Sequence, residues 1–277
     1  MIEIGTFNRL VVLRNLNPGI YLDGGRHGDI PLKLEDEPVD CKIGSQLRVF
    51  VYHDARSQLA ATTKEPLTSV GRCELLRVVH VNSVGAFLDW GLEKDLLVPH
   101  REQQTPMMVG HSYVVYTYFN RKSARVVAST KLSRHLIETT NHFKVGDEVQ
   151  LQVAVVTDLG YKAVIDDRYL GMIFSQDAFR ALGIGERLIG YVKSVRDDGK
   201  IDLIISRASK RNTEDLGEKI LQHLLASGGT STLSDKSPPD VIYQQFKVSK
   251  KKYKQALGTL YRNRRIEITP GRIRLIK

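Results

Sequence analysis

The chain is poor in cysteine: Cys41 and Cys73 are its two, and neither sits in a CxxC or near a histidine pair. A disulfide framework and a zinc cluster are therefore excluded. No apolar run approaches the eighteen or so residues that a membrane helix needs. Glu3 also stands where a secretory signal would carry positive charge. A reducing cytoplasm, without membrane contact, is the expectation. The spacings that carry catalysis are missing as well: P-loop, GxSxG, HExxH, HxE with paired cysteines, and aspartates clustered for two metal ions. The pairs Asp166–Asp167 and Asp197–Asp198 read as strand-connecting turns, and the eight histidines are scattered. The sequence predicts a non-enzymatic protein with no metal and no cofactor.

What is present is core-forming material and a lopsided charge. The 277 residues are 42% hydrophobic and 26% charged, enough for packed cores in more than one domain. The formal charge is +10, and it is confined to one end. From Phe246 to Lys277 stand Lys247, Lys250, Lys251, Lys252, Lys254, Arg262, Arg264, Arg265, Arg272, Arg274 and Lys277, against the single acid Glu267. The residues before Phe246 sum to zero. A neutral body with a basic end suits a polyanionic partner, although charge alone does not separate RNA, DNA, ribosome and anionic lipid. A basic face can also serve solubility alone.

The body repeats. NPGIYLD, GDIPL, KIGSQLRVFVYHD and QLAATTK are answered in order by NSVGAFLD, DLLVPH, MVGHSYVVYTYFN and RVVASTK. Gly19 to Gly85 and Gly44 to Gly110 are each 66 residues apart, and Ala60 to Ala128 and Thr62 to Thr130 are each 68. A third, diverged copy runs through TDLGYKAVID, YLGMIFS, GIGERLIGYVKSV and KIDLIISR, with Gly85 to Gly160 and Gly110 to Gly185 both 75 apart. Apolar and polar residues alternate in runs such as Leu47, Val49, Val51 and Leu151, Val153, Val155, as strands do. Five short strands per copy predict a small Greek-key barrel, with the OB fold foremost. Each copy is long enough to close its own barrel, so a stack sharing one core is the lesser expectation.

GAFLD, DLLVP, VGHSYVVYTYFN and ARVVASTK resemble the S1 domain, an OB-fold RNA-binding module, most clearly in the second copy. The resemblance implies aromatic and basic side chains on the face of the central strands, where bases stack and cations follow phosphates. By position these are Tyr21 and Phe87; the third copy has Lys162 in that slot, with Tyr161 one residue earlier. Arg56, Arg121, Arg125 and Lys200 flank the loop before the last strand, and His100 follows the LVP turn. Tyr21 and Phe87 could equally be core, because one register slip exchanges inside for outside. The basic loop residues could be solvated charges, and His100 a turn residue.

Beyond ASKRNTE, which reads as a linker, the periodicity becomes helical. Leu216, Ile220, Leu221, Leu224 and Leu225 mark a first helix, and the SGGTSTLSDKSPP stretch reads as a loop. Val241, Ile242 and Phe246 mark a second helix from Pro239. Ser249 caps a third with the stripe Tyr253, Ala256, Leu257, Leu260 and Tyr261. IEITPGRIRLIK reads as two strands about a Pro-Gly turn. Three helices and a hairpin are the order of a winged helix. Its third helix would carry Lys250, Lys251, Lys252 and Lys254, with Arg262, Arg264 and Arg265 at the far end and Arg272 and Arg274 on the wing. Cations at a helix N-terminus oppose the macrodipole, a penalty that a bound anion reverses.

The fold class expected is mainly β with a C-terminal α+β domain. It comprises S1-like barrels over residues 1–66, 67–140 and 141–208 and a winged helix over 213–277. With VSKKKYKQALGTLY, this whole arrangement resembles the conserved virulence factor B family of bacterial S1-like RNA-binding proteins. That resemblance implies a cytoplasmic regulator of gene expression whose partner is single-stranded RNA. A DNA-binding regulator using the winged helix, and a scaffold docking on a ribosome or ribonuclease, are the alternatives.

Overall fold

The structure is a computed structural model, and it describes all residues except 1, 17–18, 34–35, 37–40, 179, 206–207, 247, 270 and 277, with the side chains of 16 and 208–215 also left out. Lys247, Pro270 and Lys277, named above, lie outside the described residues. The chain forms two compact units, Met1–Ile205 and Ser206–Lys277.

The first unit holds three five-stranded sheets. In the first, β1 (Phe7–Leu16), β2 (Gly19–Asp23), β3 (Asp29–Leu32), β4 (Gln46–His53) and β5 (Leu59–Thr62) close in the order β1-β2-β3-β5-β4. The third repeats that closed order with β11 (Glu148–Thr157), β12 (Gly160–Ile165), β13 (Tyr169–Phe174), β14 (Arg187–Val195) and β15 (Ile201–Ile204), with a short helix α1 (Ser175–Ala178) after β13. Between them lie β6 (Cys73–Val81), β7 (Gly85–Asp89), β8 (Leu96–Pro99), β9 (Ser112–Asn120) and β10 (Arg125–Ser129), ordered β10-β9-β6-β7-β8. The outer strands of this middle sheet, β8 and β10, run beside each other without a ladder. This is the OB barrel, and the sequence repeat is its structural repeat.

The repeated glycines have a physical reason. Gly19, Gly85 and Gly160 open the second strand of each copy. A Cβ on Gly85 or Gly160 would lie 2.2 Å from a carbonyl oxygen of the third strand, of Val98 and Ile173 respectively. Each first strand also carries a bulge, between Val12 and Arg14, Val78 and His80, and Val153 and Val155. The bulge corrects one expectation. The alternation Leu151, Val153, Val155 does not stay on one face, because the extra residue turns Val155 outward to 37% exposure.

Burial continues from one barrel into the next. Phe50 and Tyr52 of β4 belong to the same buried cluster as Leu76, Val78, Leu88 and Trp90, and the Phe50 and Trp90 rings meet edge to face at 5.8 Å. Ala154, Val164 and Leu170 of the third barrel pack with Cys73, Val114, Leu132 and Leu136. The first and third barrels close their own sheets, yet the three copies share buried side chains. A barrel this small leaves much apolar surface for a neighbour to cover.

The second unit contains α2 (Ala208–Ala226), β16 (Thr230–Ser231), α3 (Pro239–Phe246), α4 (Lys250–Arg262), β17 (Ile266–Thr269) and β18 (Arg272–Leu275), with a sheet ordered β16-β18-β17. Its core gathers Leu216, Ile220, Leu224, Ile242, Tyr253, Leu257, Ile266 and Ile273. This is a winged helix. ASKRNTE is helical rather than a linker, since Ala, Lys and Arg favour helix and neither Gly nor Pro interrupts them. The polar loop contributes β16, which pairs with β18. Leu225, Val241 and Tyr261 are exposed, unlike the stripes to which their spacing assigned them. Leu225 lies half a turn from Leu216, and Tyr261 lies beyond the edge of a stripe centred on Tyr253, Leu257 and Leu260.

Candidate nucleic-acid interface

Because the bulge recurs, the same register recurs on each barrel's outer face. Tyr21 stands between Arg14 of β1 and Pro31 of β3, Phe87 between His80 and Leu97, and Lys162 between Val155 and Met172. Their strand neighbours Ile20, Leu22, Ala86 and Leu88 are buried, at 1% exposure or less. Tyr21 and Phe87 are half-buried and point the other way. The Phe87 ring lies 5.7 Å from that of His80.

The third barrel is built differently. Tyr161 packs against the barrel's core, and its hydroxyl accepts a hydrogen bond from the Leu182 N–H at 3.3 Å. Lys162 pairs with Glu138 at 3.5 Å, and Lys200 with Asp198 at 3.0 Å. The face has an aromatic ring that sequence reasoning missed. Phe174, one strand over on β13, has the Arg196 guanidinium 5.4 Å from its centre, and Arg196 is itself paired with Asp202 at 2.8 Å. Each of these three cations thus carries an acid, so this face offers phosphate less net attraction than its basic residues suggest.

The loop candidates divide similarly. Arg56 and Arg121 are exposed, on the β4–β5 and β9–β10 connections. Arg125, at the start of β10, donates to Ser57 Oγ of the first barrel at 3.4 Å. His100 has its Nε2 2.9 Å from the Asn82 carbonyl oxygen, which ties the β6–β7 loop to the turn after β8. Cys73 is buried beneath the carboxylates of Asp167 and Glu74, and its thiol is pushed up to about 12, where it is neutral and unreactive.

In the winged helix, Ser249 Oγ accepts from the Lys252 N–H and opens α4 as expected. Lys251, Lys252 and Lys254 are exposed around the buried Tyr253, and Lys250 reaches the Lys236 carbonyl oxygen at 3.5 Å. Tyr253 donates to the Leu233 carbonyl oxygen at 2.9 Å, and burial pushes its hydroxyl up to about 12. At the far end Arg262 donates to the Gly258 carbonyl oxygen at 3.3 Å, while Arg264 and Arg265 are exposed. Arg272 and Arg274 flank buried Ile273 on β18 and share one exposed face, with Glu267 opposite Arg274 in the ladder.

OB barrels in tandem, followed by a winged helix, define a protein of the nucleic-acid-binding class. The model of the S1 domain matches residues 4–64 and 70–131, and that of the CvfB-like winged helix domain matches 218–275. The chain therefore carries two S1 domains and a CvfB-like winged helix domain, and it is similar along nearly its whole length to proteins named conserved virulence factor B. It is 24% identical to the conserved virulence factor B of Staphylococcus epidermidis, over 99% of this chain and 95% of that one. It is 29% identical to the uncharacterized protein YitL of Bacillus subtilis, over 90% of this chain and 85% of that one. A solved Streptococcus pneumoniae structure, described as a multidomain protein with nucleic acid binding domains, aligns with 99% of this chain and 98% of its own, at 22% identity and a TM-score of 0.42. No helix among the described residues is long and apolar enough to cross a membrane.

Proposed function

We propose that the protein binds single-stranded RNA and acts, without catalysis, as a post-transcriptional or translational regulator in the cytoplasm. In this reading the first two barrels stack unpaired bases on Tyr21 and Phe87, with Arg56, Arg121 and Arg125 beside the phosphates. The winged helix adds electrostatic affinity through Lys250–Lys252, Lys254 and the wing arginines. The observation that carries it is the repeated outward register of Tyr21 and Phe87, an arrangement suited to bases with free faces and not to a closed duplex. The resemblance to S1-like RNA-binding proteins supports the same choice.

A second reading, duplex DNA read by the winged helix, draws on the exposed lysines of α4. The two are separated by titrating the full chain into labelled single-stranded RNA and duplex DNA of matched length at one ionic strength. The RNA reading expects the tighter anisotropy curve for RNA; tighter duplex binding replaces it with the second reading.

A further inference from the structure

A cleft of about 360 Å³ lies between the first and second barrels, within the compact unit that holds both. Its apolar side is formed by Phe87, Trp90, Leu96 and Val127. Its polar side brings together His53 of the first barrel and Lys94 and Arg125 of the second. Lys94 Nζ donates to the Asp54 carbonyl oxygen at 2.8 Å and to Ser57 Oγ at 3.1 Å, and Arg125 shares that hydroxyl. Two cations on one neutral oxygen leave donors unspent.

Three acids stand nearby: Glu93 is ion-paired with Lys33, burial raises the Asp95 carboxyl above its ordinary value, and the Asp54 carboxylate acts on both Lys94 and His53. Burial lowers the Lys94 ammonium and the Arg125 charge lowers it further, together outweighing the Asp54 carboxylate, which raises it. His53 Nδ1 is buried with no hydrogen-bond partner. The His53 imidazole is held below its usual range, first by burial and then by Lys94 and Arg125, so that it is neutral near pH 7. An orphaned buried polar atom calls for an explanation, and a ligand group is one.

We propose that this cleft binds one nucleoside phosphate, with the base against Phe87, a base-edge group on His53 Nδ1 and the phosphate on Lys94 and Arg125. The cavity is at the small end of ligand-site volumes, which suits a single nucleotide. The proposal rests on the RNA-binding reading and deepens it, because Phe87 and Arg125, assigned there to the second barrel's outer face, also line this cleft against the first barrel. The nucleotide is either one unit of the bound strand or a free mononucleotide.

The chain contains one tryptophan, and Trp90 borders the cleft at 4% exposure, so its emission reports on this site. The full chain is titrated in one arm with single-stranded RNA, followed by anisotropy and Trp90 emission together, and in the other with nucleoside monophosphates. A saturable emission change with the RNA, or with monophosphates alone, is expected, and the responding arm identifies the source. Lys94→Gln with Arg125→Gln should abolish that change and weaken the responding ligand at least about tenfold, as loss of charge-assisted hydrogen bonds does. Ala55→Phe, at an exposed residue lining the cleft, narrows it without removing a hydrogen bond and should also suppress the response if the double variant fails to fold. RNA binding with no Trp90 response in either arm overturns the cleft and leaves the RNA reading standing. Absence of both RNA binding and any nucleotide response overturns both.

Discussion

The Arg14 guanidinium lies 5.3 Å from the centre of the Tyr21 ring, and its charge is paired with Asp29. The ring is thus held on the barrel's outer side, flanked along its own strand by buried Ile20 and Leu22. Tyr21→Ala and Phe87→Ala are expected to weaken single-stranded RNA binding by about 1–3 kcal/mol each, the worth of one stacked base. Melting should change little. Leu22→Ala and Leu88→Ala are the comparison, since fully buried leucines cost about 2–5 kcal/mol when truncated. If Phe87→Ala melts as early as Leu88→Ala, the ring is core.

A second expectation contrasts two neighbours with one backbone conformation. Asp166 and Asp167 have φ of +50° and +56°, the two left-handed residues of the β12–β13 hairpin. Asp167 Oδ1 accepts from the Cys73 N–H at 2.8 Å, and its other oxygen pairs with Arg72 at 3.1 Å, so it also fastens the third barrel to the second. Asp166→Gly relieves strain without removing either bond and should be neutral or stabilising by up to about 1 kcal/mol. Asp167→Gly gains the same relief but strands the Cys73 N–H, and should cost about 1–3 kcal/mol in denaturant unfolding.

The pH dependence of His53 has a definite sign. Burial, assisted by Lys94 and Arg125, lowers its pKa below the ordinary 6.5. The unfolded chain therefore binds the proton more readily, and stability is lost as pH falls through that value. Melting temperature measured from pH 7.5 to 5.5 should drop more in the wild type than in His53→Gln. Equal slopes would mean that His53 is not desolvated.

Much of this architecture was legible because the constraint sits in single residues. Gly85 and Gly160 are fixed by a close carbonyl approach, and Ser249 by a free backbone donor, so spacing alone found them. The bulges were hidden, since an extra residue in a strand leaves no compositional mark, and they decide that Arg14 and His80 face the two rings. Phe174 was missed because the third barrel moves its aromatic from the second strand to the third. The sharing of buried side chains between barrels was equally silent: Phe50 and Tyr52 alternate as core residues whichever barrel covers them. Leu225, Val241 and Tyr261 show the limit of helical spacing at the margins of a stripe.

The division of labour between barrels and winged helix is tested most directly by the salt dependence of single-stranded RNA affinity. Three proteins are compared: wild type, Tyr21→Ala with Phe87→Ala, and Lys250→Gln with Lys251→Gln and Lys252→Gln. Each phosphate contact on a single strand contributes about 0.7 to the slope of log affinity against log salt. The barrel variant should give a weaker line parallel to the wild type. The helix variant should give a line shallower by up to about 2 units while keeping its fold, since these lysines lie off the buried stripe of α4. A helix variant parallel to the wild type, or a barrel variant with unchanged affinity, would contradict the account.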